Sequence, residues 1–332
     1  MLGLVILIII AALCFNFLNG ANDRANAIAT TCATKALSPT QALIVASIFD
    51  MLGAFASTRV AETVGKGIVP SQYMNLSILL FGTLGAVIWI FFCTKLGIPI
   101  SVTHALVGGL LGTGIAEGGT KIIQWSVLNK KVFLGIILGP GAGFLAGAIL
   151  LILVSWILHI FFKRVATVRT NKFFRICQIF TTPFMSFTHG MNDTQNAMGI
   201  IAAALLAGGL INKFYVPWWV RITCGIVMGL GTFLFGWKVT RTLGWKLTKV
   251  EPKQGFVSEV GAGTVIALHS LAGMPISTTH VVSSAVIGGT ALHNLKRIKQ
   301  IVAWRMLFAW IITVPSAAVF SFLIYLISNY FI

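Results

Sequence analysis

The sequence predicts an all-α integral membrane protein of two inverted-topology repeats, with broken helices, re-entrant hairpins and about 10–12 membrane segments. Three observations predict it. Charged residues make up only 9% of the 332-residue chain and apolar residues 57%, against roughly 25% charged in a globular domain. The apolar residues fall in blocks of about 20, the length of a helical membrane crossing. Finally, two polar motifs occur twice, in the same order.

Composition excludes several classes of protein. So few charges cannot cover a soluble surface, and the mean hydropathy of +0.93 agrees. The excess of Lys+Arg (24) over Asp+Glu (7) suggests nucleic acid in a soluble protein. Here the basic residues lie mainly between apolar blocks, as in cytoplasmic loops, and nucleic-acid binding is not expected. Cys14, Cys32, Cys93, Cys177 and Cys224 stand far apart without metal or redox spacing and read as packing residues. The first apolar run lacks a basic leader region and reads as mature structure.

Taken in order, apolar segments lie near 1–35, 40–60, 73–95, 98–117 and 132–162. Further segments follow near 173–211, 217–240, 256–272, 276–293 and 301–328. The run 1–35 is too long for one straight crossing, and the sequence predicts a break at Asn19-Gly20-Ala21-Asn22-Asp23. The run 173–211 predicts the same at Gly190-Met191-Asn192-Asp193. Segments 98–117 and 276–293 are short and open with Pro, so each can pair with its predecessor as a re-entrant hairpin. A β-barrel is excluded, because the blocks are continuous and do not alternate.

Gly20-Ala21-Asn22-Asp23-Arg24-Ala25-Asn26-Ala27 matches Gly190-Met191-Asn192-Asp193-Thr194-Gln195-Asn196-Ala197 at an offset of 170 residues. Pro99-Ile100-Ser101-Val102-Thr103-His104 matches Pro275-Ile276-Ser277-Thr278-Thr279-His280 at an offset of 176. The chain therefore divides into repeats 1–162 and 171–332, joined by the basic linker 163–175. Eleven basic residues in 163–175, 245–255 and 293–300 (Lys163, Arg164 and Lys296 among them) mark one side as cytoplasmic. Lys66, Lys121, Lys130, Lys131 and Lys213 fall on the other, which places both termini outside. An odd number of crossings per half inverts the second repeat. Inverted repeats with broken helices are a transporter's design.

Asp23 and Asp193 carry the first chemistry. A central carboxylate costs about 2.5–3.5 kcal/mol on insertion scales, so it faces a cavity and has a partner. Carbonyls freed at a helix break, together with the Asn and Asp oxygens, would cage a monovalent cation or hold a proton. Asn-Asp can also simply cap and pack a kinked helix, but two copies at matching positions argue for a site. The Pro-Ile-Ser-x-Thr-His segments suit an anion, because a helix N-terminus offers unpaired N–H groups and positive partial charge. Their hydroxyls can instead bond the preceding turn, and His104 and His280 read as histidines that bond the backbone. Glu62 beside Arg59 reads as an interfacial ion pair, Glu259 as interfacial, and Asp50 as an acid without an assigned role. His159, His189, His269 and His293 show no metal spacing. Walker loops, nucleophile elbows and zinc motifs are absent from the sequence, so neither an enzyme nor a self-contained ATP-driven pump is expected.

With both duplicated motifs, and with Val60-Ala61-Glu62-Thr63-Val64-Gly65-Lys66-Gly67-Ile68, the chain resembles the inorganic phosphate transporter (PiT) family from about residue 15 to 330. The resemblance implies symport of inorganic phosphate with Na+ or H+ across the plasma membrane by a homodimer that needs no cofactor beyond its coupling ion. It puts cation sites at Asn22, Asp23, Asn192 and Asp193. It puts phosphate contacts at Ser101, Thr103, Ser277, Thr278 and Thr279, with Asn26 and Asn196 nearby. The chain departs from the family in three ways: Val102 replaces a hydroxyl residue, Arg241 stands where the second half would match Glu62, and the long loop of animal members is absent. Sulfate, a metal–phosphate complex and a channel remain open as alternatives, with a receptor or structural protein behind them.

Overall fold

A computed structural model of the chain describes residues 1–67, 70, 73–163, 166–294 and 297–331, without the side chains of 131, 132, 136, 292–294 and 331. Ile68, Arg164 and Lys296, and the side chains of Lys131 and His293, on which parts of the family segment, the charge count and the histidine survey rest, lie outside the described residues. Among the described residues the structure is helical, without strands.

Helix α1 spans Leu2–Ala33, α2 Pro39–Gly53, α3 Arg59–Gly67, α4 Leu76–Leu96 and α5 Val102–Gly118. A short turn α6 (Trp125–Val127) and one π-helical turn lead into α7 (Leu134–Phe161). There follow α8 (Thr167–Ala207), α9 (Trp218–Leu234), α10 (Trp237–Arg241), α11 (Pro252–Leu271), α12 (Thr278–Asn294) and α13 (Gln300–Phe331). Among the described residues four helices are long and apolar enough to cross a membrane, Leu2–Ala33, Leu76–Leu96, Ile137–Phe161 and Gln300–Tyr330. The pair Trp218–Leu234 and Trp237–Lys246, bent by 61°, makes a fifth if it is counted as one span.

The expected breaks in α1 and α8 do not occur. Both helices run unbroken through their Asn-Asp motifs, α1 for 32 residues and α8 for 41. The reason is tertiary. The motif side chains find partners on other helices, so they do not compete for their own backbone. Gly20 and Gly190 serve close approach instead. A Cβ at Gly20 would strike the backbone of Met228 and Thr232 on α9, and one at Gly190 the backbone of Asp50 on α2. The carbonyls expected to be freed there stay in the helical ladder. The real interruptions fall at Phe235-Gly236 between α9 and α10, at 54–58 between α2 and α3, and at the tips 97–101 and 272–277.

Those tips join α4 to α5 and α11 to α12. With 17 residues each, α5 and α12 extend about 25 Å, short of the roughly 30 Å of a bilayer core. Packing exchanges partners between the halves: α1 lies on α9 and α8 on α2, while α5 lies on α13 and α12 on α7. The outer faces of α7 and α13 present Ile137, Leu145, Trp156, Trp304 and Ile311 outward, while Asn, Asp, Thr and Ser fill the centre around α1 and α8. This inside-out distribution is what hydrocarbon as solvent demands.

Candidate ion and substrate site

The site is built where the middles of α1 and α8 meet the starts of α5 and α12. Each motif places two Asn side chains at positions i and i+4 on one helix face, and each grips a different hairpin. Asn22 donates to Thr94 Oγ1 at 2.8 Å and to the Ile98 carbonyl at 3.4 Å, and accepts from Ile100 N–H at 3.3 Å. One turn on, Asn26 donates to Thr278 and Thr279 of the other half at 3.3 and 3.0 Å. Asn192 donates to the Ile276 carbonyl at 3.0 Å and to Asp193 Oδ1 at 2.7 Å, and accepts from Ser270 at 3.1 Å. Asn196 in turn crosses to Thr103 Oγ1 at 3.0 Å.

The two carboxylates meet at α12. Thr279 Oγ1 donates to Asp23 Oδ1 at 2.7 Å. Thr278 Oγ1 lies 3.0 Å from Asp193 Oδ2 and 3.4 Å from Asp23 Oδ2, so one hydroxyl spans both acids. Asp23 and Asp193 are buried, and no Lys or Arg among the described residues lies within ion-pair reach of either. Arg24, the nearest in sequence, turns away and donates to the Phe235 carbonyl. Two buried carboxylates without a Lys or Arg partner are costly, by several kcal/mol per ion. Asn26 Oδ1 and Asn196 Oδ1 are buried without a hydrogen-bond partner among the described residues.

Ser101 and Ser277 cap α5 and α12, each accepting from the N–H three residues on, of His104 and His280, at 3.2 Å. The caps leave other first-turn N–H groups of both helices beside the carboxylates, as an anion would need. The expectation that the hairpin histidines bond the backbone fails for His280. Neither of its ring nitrogens has a partner, and the ring packs 4.9 Å from His104 and 3.9 Å from Trp310, centroid to centroid.

The sequence reading missed a cluster behind Asp193. His189 Nδ1 lies 2.9 Å from Asp50 Oδ1 and its Nε2 3.3 Å from Asp193 Oδ2, the latter outside hydrogen-bond geometry. Thr232 holds the other Asp50 oxygen at 2.8 Å. Although His189 has no metal spacing in sequence, Asp23, His189 and Asp193 offer ligand atoms within 4.8 Å of one another. The only available signal was that His189 precedes Asp193 by one helical turn. Glu259 is buried, not interfacial, and accepts from Thr30, Thr31 and Gln178 at 2.6, 2.7 and 2.8 Å, and from Thr181. Its helix α11 is wedged between α8 and α7, which removes that face from the interface. Glu62 pairs with Lys66 at 3.0 Å, one turn away, and not with Arg59.

Comparison with known proteins places the chain among phosphate transporters by sequence and by fold. Residues 19–321 match the Phosphate transporter family. The chain is 40% identical over 336 residues to the "Probable low-affinity inorganic phosphate transporter" of Bacillus subtilis (strain 168), covering 99% of this chain and 98% of that one. It is 38% identical over 320 residues to the protein of the same name from Rhizobium meliloti (strain 1021), covering 96% and 94%. Among solved structures, "The sodium-dependent phosphate transporter" superposes with a TM-score of 0.91 at 25% identity, covering 99% of this chain and 100% of that chain.

Proposed function

This chain belongs to the phosphate transporter family, and from that premise we propose that it is a secondary active symporter that carries inorganic phosphate with a coupling cation across the plasma membrane. The observation that carries the mechanism is the pair of buried carboxylates, Asp23 and Asp193, spanned by the Thr278 hydroxyl, with no Lys or Arg beside them among the described residues and His189 as their one basic neighbour. With no cation present, an anion beside them would meet like charge in a medium of low dielectric. Cations at Asp23 and Asp193 remove that repulsion and leave the N-terminal turns of α5 and α12 free to attract the anion. Cation first, anion second, is therefore the order that electrostatics favours, and it is what makes the two fluxes interdependent. Sodium is the coupling ion of first choice, since the structural neighbour is named as sodium-dependent.

Within this reading Asn22, Asp23, Asn192 and Asp193 serve the cation. Ser101, Thr103, Ser277, Thr278, Thr279, Asn26 and Asn196 serve the anion through hydroxyls, amides and the N–H groups they organise. Phosphate differs from sulfate in carrying a proton near neutrality, which it can donate to a carboxylate. Repeats 1–162 and 171–332 are taken as inverted about the site, supported by the exchange of helix partners between halves. The basic linker 163–175 is placed in the cytoplasm and both termini outside, supported by the loop charges. A homodimer follows from the family resemblance.

The test is uptake of labelled phosphate into proteoliposomes under inward Na+ and H+ gradients imposed separately, with unlabelled sulfate as competitor. Accumulation driven by Na+ and indifferent to sulfate is expected. Accumulation driven only by H+ would reassign the coupling ion, suppression by sulfate would reassign the substrate, and equilibration without accumulation would make the protein a channel.

A further inference from the structure

The residue after each motif aspartate, or the one after that, reaches out of the site to a place where a helix is interrupted. Arg24, 3% exposed, donates from Nη1 to the carbonyl of Phe235, at the 61° bend between α9 and α10. Its guanidinium lies 5.6 Å from the centre of the Trp237 ring, and its Nε has no partner. The bend is pressed against the motif itself. Gly236, at φ +92°, leaves no room for a Cβ, which would collide with the Ala21 carbonyl. On α8, Gln195 makes the corresponding reach. Its Oε1 accepts from Val60 and Ala61 N–H at 2.8 and 3.1 Å, at the start of α3, just after the interruption between α2 and α3.

Each interrupted segment holds a hairpin tip in turn. Beyond the α9–α10 bend, Lys238 donates to the Lys95 carbonyl at 3.2 Å and Thr242 to the Gly97 carbonyl at 3.0 Å, at the turn between α4 and α5. Beyond the α2–α3 interruption, Arg59 donates to the Leu271 carbonyl at 2.5 Å and Thr63 to the Gly273 carbonyl at 2.7 Å, at the turn between α11 and α12. The same sequence of contacts, from aspartate neighbour to interrupted helix to hairpin tip, thus occurs twice with unrelated side chains. In both cases the hairpin belongs to the same half as the motif and the interrupted helix to the other half.

We propose that Arg24 and Gln195 are positioning residues of the transport cycle, each carrying the state of the neighbouring aspartate through an interrupted helix to the tip of a hairpin. The proposal rests on the symport reading given above. A buried guanidinium with a carbonyl and an indole for company, and no carboxylate, gains little as a static brace, because its desolvation is poorly compensated. As a link it is suited to its place. It sits on the turn of α1 that binds the cation, and a displacement of that turn moves the bend and, through Lys238 and Thr242, the tip that starts α5.

The experiment uses the full chain in proteoliposomes, with a cysteine at Lys95, whose backbone and not its side chain takes part in the link. Maleimide labelling at that position is read by peptide mass spectrometry with and without sodium and phosphate. In the otherwise unchanged protein the labelling rate changes on adding both solutes. In Arg24→Gln the maximum uptake rate falls by roughly tenfold, within the range of site-to-site coupling, phosphate KM is unchanged, and labelling no longer responds to solutes. Arg24→Lys, which keeps a positively charged donor long enough for the Phe235 carbonyl where Gln is neutral and shorter, recovers both. Lys238→Met, at an exposed position, breaks the link further out and is expected to lose the labelling response even if Arg24→Gln fails to insert. Wild-type rates in Arg24→Gln, or an intact labelling response in either variant, would overturn the proposal. A parent protein that accumulates no phosphate would overturn the symport reading instead.

Discussion

In the proposed mechanism the chemistry depends on Asp23 and Asp193. Replacing either by Asn keeps the shape but removes a charge that the cation must answer. Loss of one partner from a buried ion site costs about 3–5 kcal/mol, so coupled accumulation should drop by a hundredfold or more while the protein still inserts. Uptake by membrane-inserted Asp23→Asn and Asp193→Asn, normalised to protein in the bilayer, checks this, and normal uptake by both would refute the assignment. Thr278 sits between the two carboxylates. Thr278→Ser should retain most transport and Thr278→Val lose most of it, which initial uptake rates would show. The motif acids, amides and hydroxyls were all legible in the sequence, because a polar group in an apolar block advertises its cost and its duplicate confirms its place. Asp50 and His189 were not legible as a pair. They meet across 139 residues, and α9, which follows α8 in the chain as α2 follows α1, carries no acid to reveal a pattern.

At the scale of elements, the sequence located the turns at 97–101 and 272–277 and misjudged the motif helices. Gly beside Asn-Asp reads as a breaker from local preference alone, since glycine weakens helices and Asn and Asp compete for backbone groups. In the fold those side chains bond to hairpins and to the opposite half, and glycine is selected for helix contact. Gly190→Ala should therefore destabilise, since its Cβ would meet backbone that cannot swing away; overpacking of this kind typically costs about 1–3 kcal/mol. Gly141, with open space around its missing Cβ, should tolerate Ala or gain about 0.5–1 kcal/mol from helix preference. Thermal unfolding of the two variants in detergent should separate them, with Gly190→Ala melting lower and Gly141→Ala at or above the parent. Equal melting temperatures would mean that the α2–α8 contact relaxes freely. The elbow at Phe235-Gly236 escaped the sequence reading because an apolar run from 217 to 240 gives no local sign of where it bends.

Over the whole molecule, the duplicated motifs converge on one buried site, and each half supplies both a motif helix and a hairpin to it. Asp23, in the first half, takes its hydrogen bonds from Thr278 and Thr279 of the second, so the first half alone could not satisfy its own carboxylate. The sequence conveyed this duplication through motif order and spacing, but not the cross-connections, which depend on tertiary pairing over more than 250 residues, as in Asn26 with Thr278. In the proposed mechanism a cation must neutralise Asp23 and Asp193 before the anion is held. Equilibrium binding of phosphate to the purified chain, in sodium or in choline, at pH 6 and pH 8, tests it most directly. The account predicts tight binding in sodium and at least roughly tenfold weaker binding in choline at pH 8, where protons are scarce, in the range of ligand–ligand coupling. Equal affinity in all four conditions would contradict it, because the site would then hold phosphate without any cation.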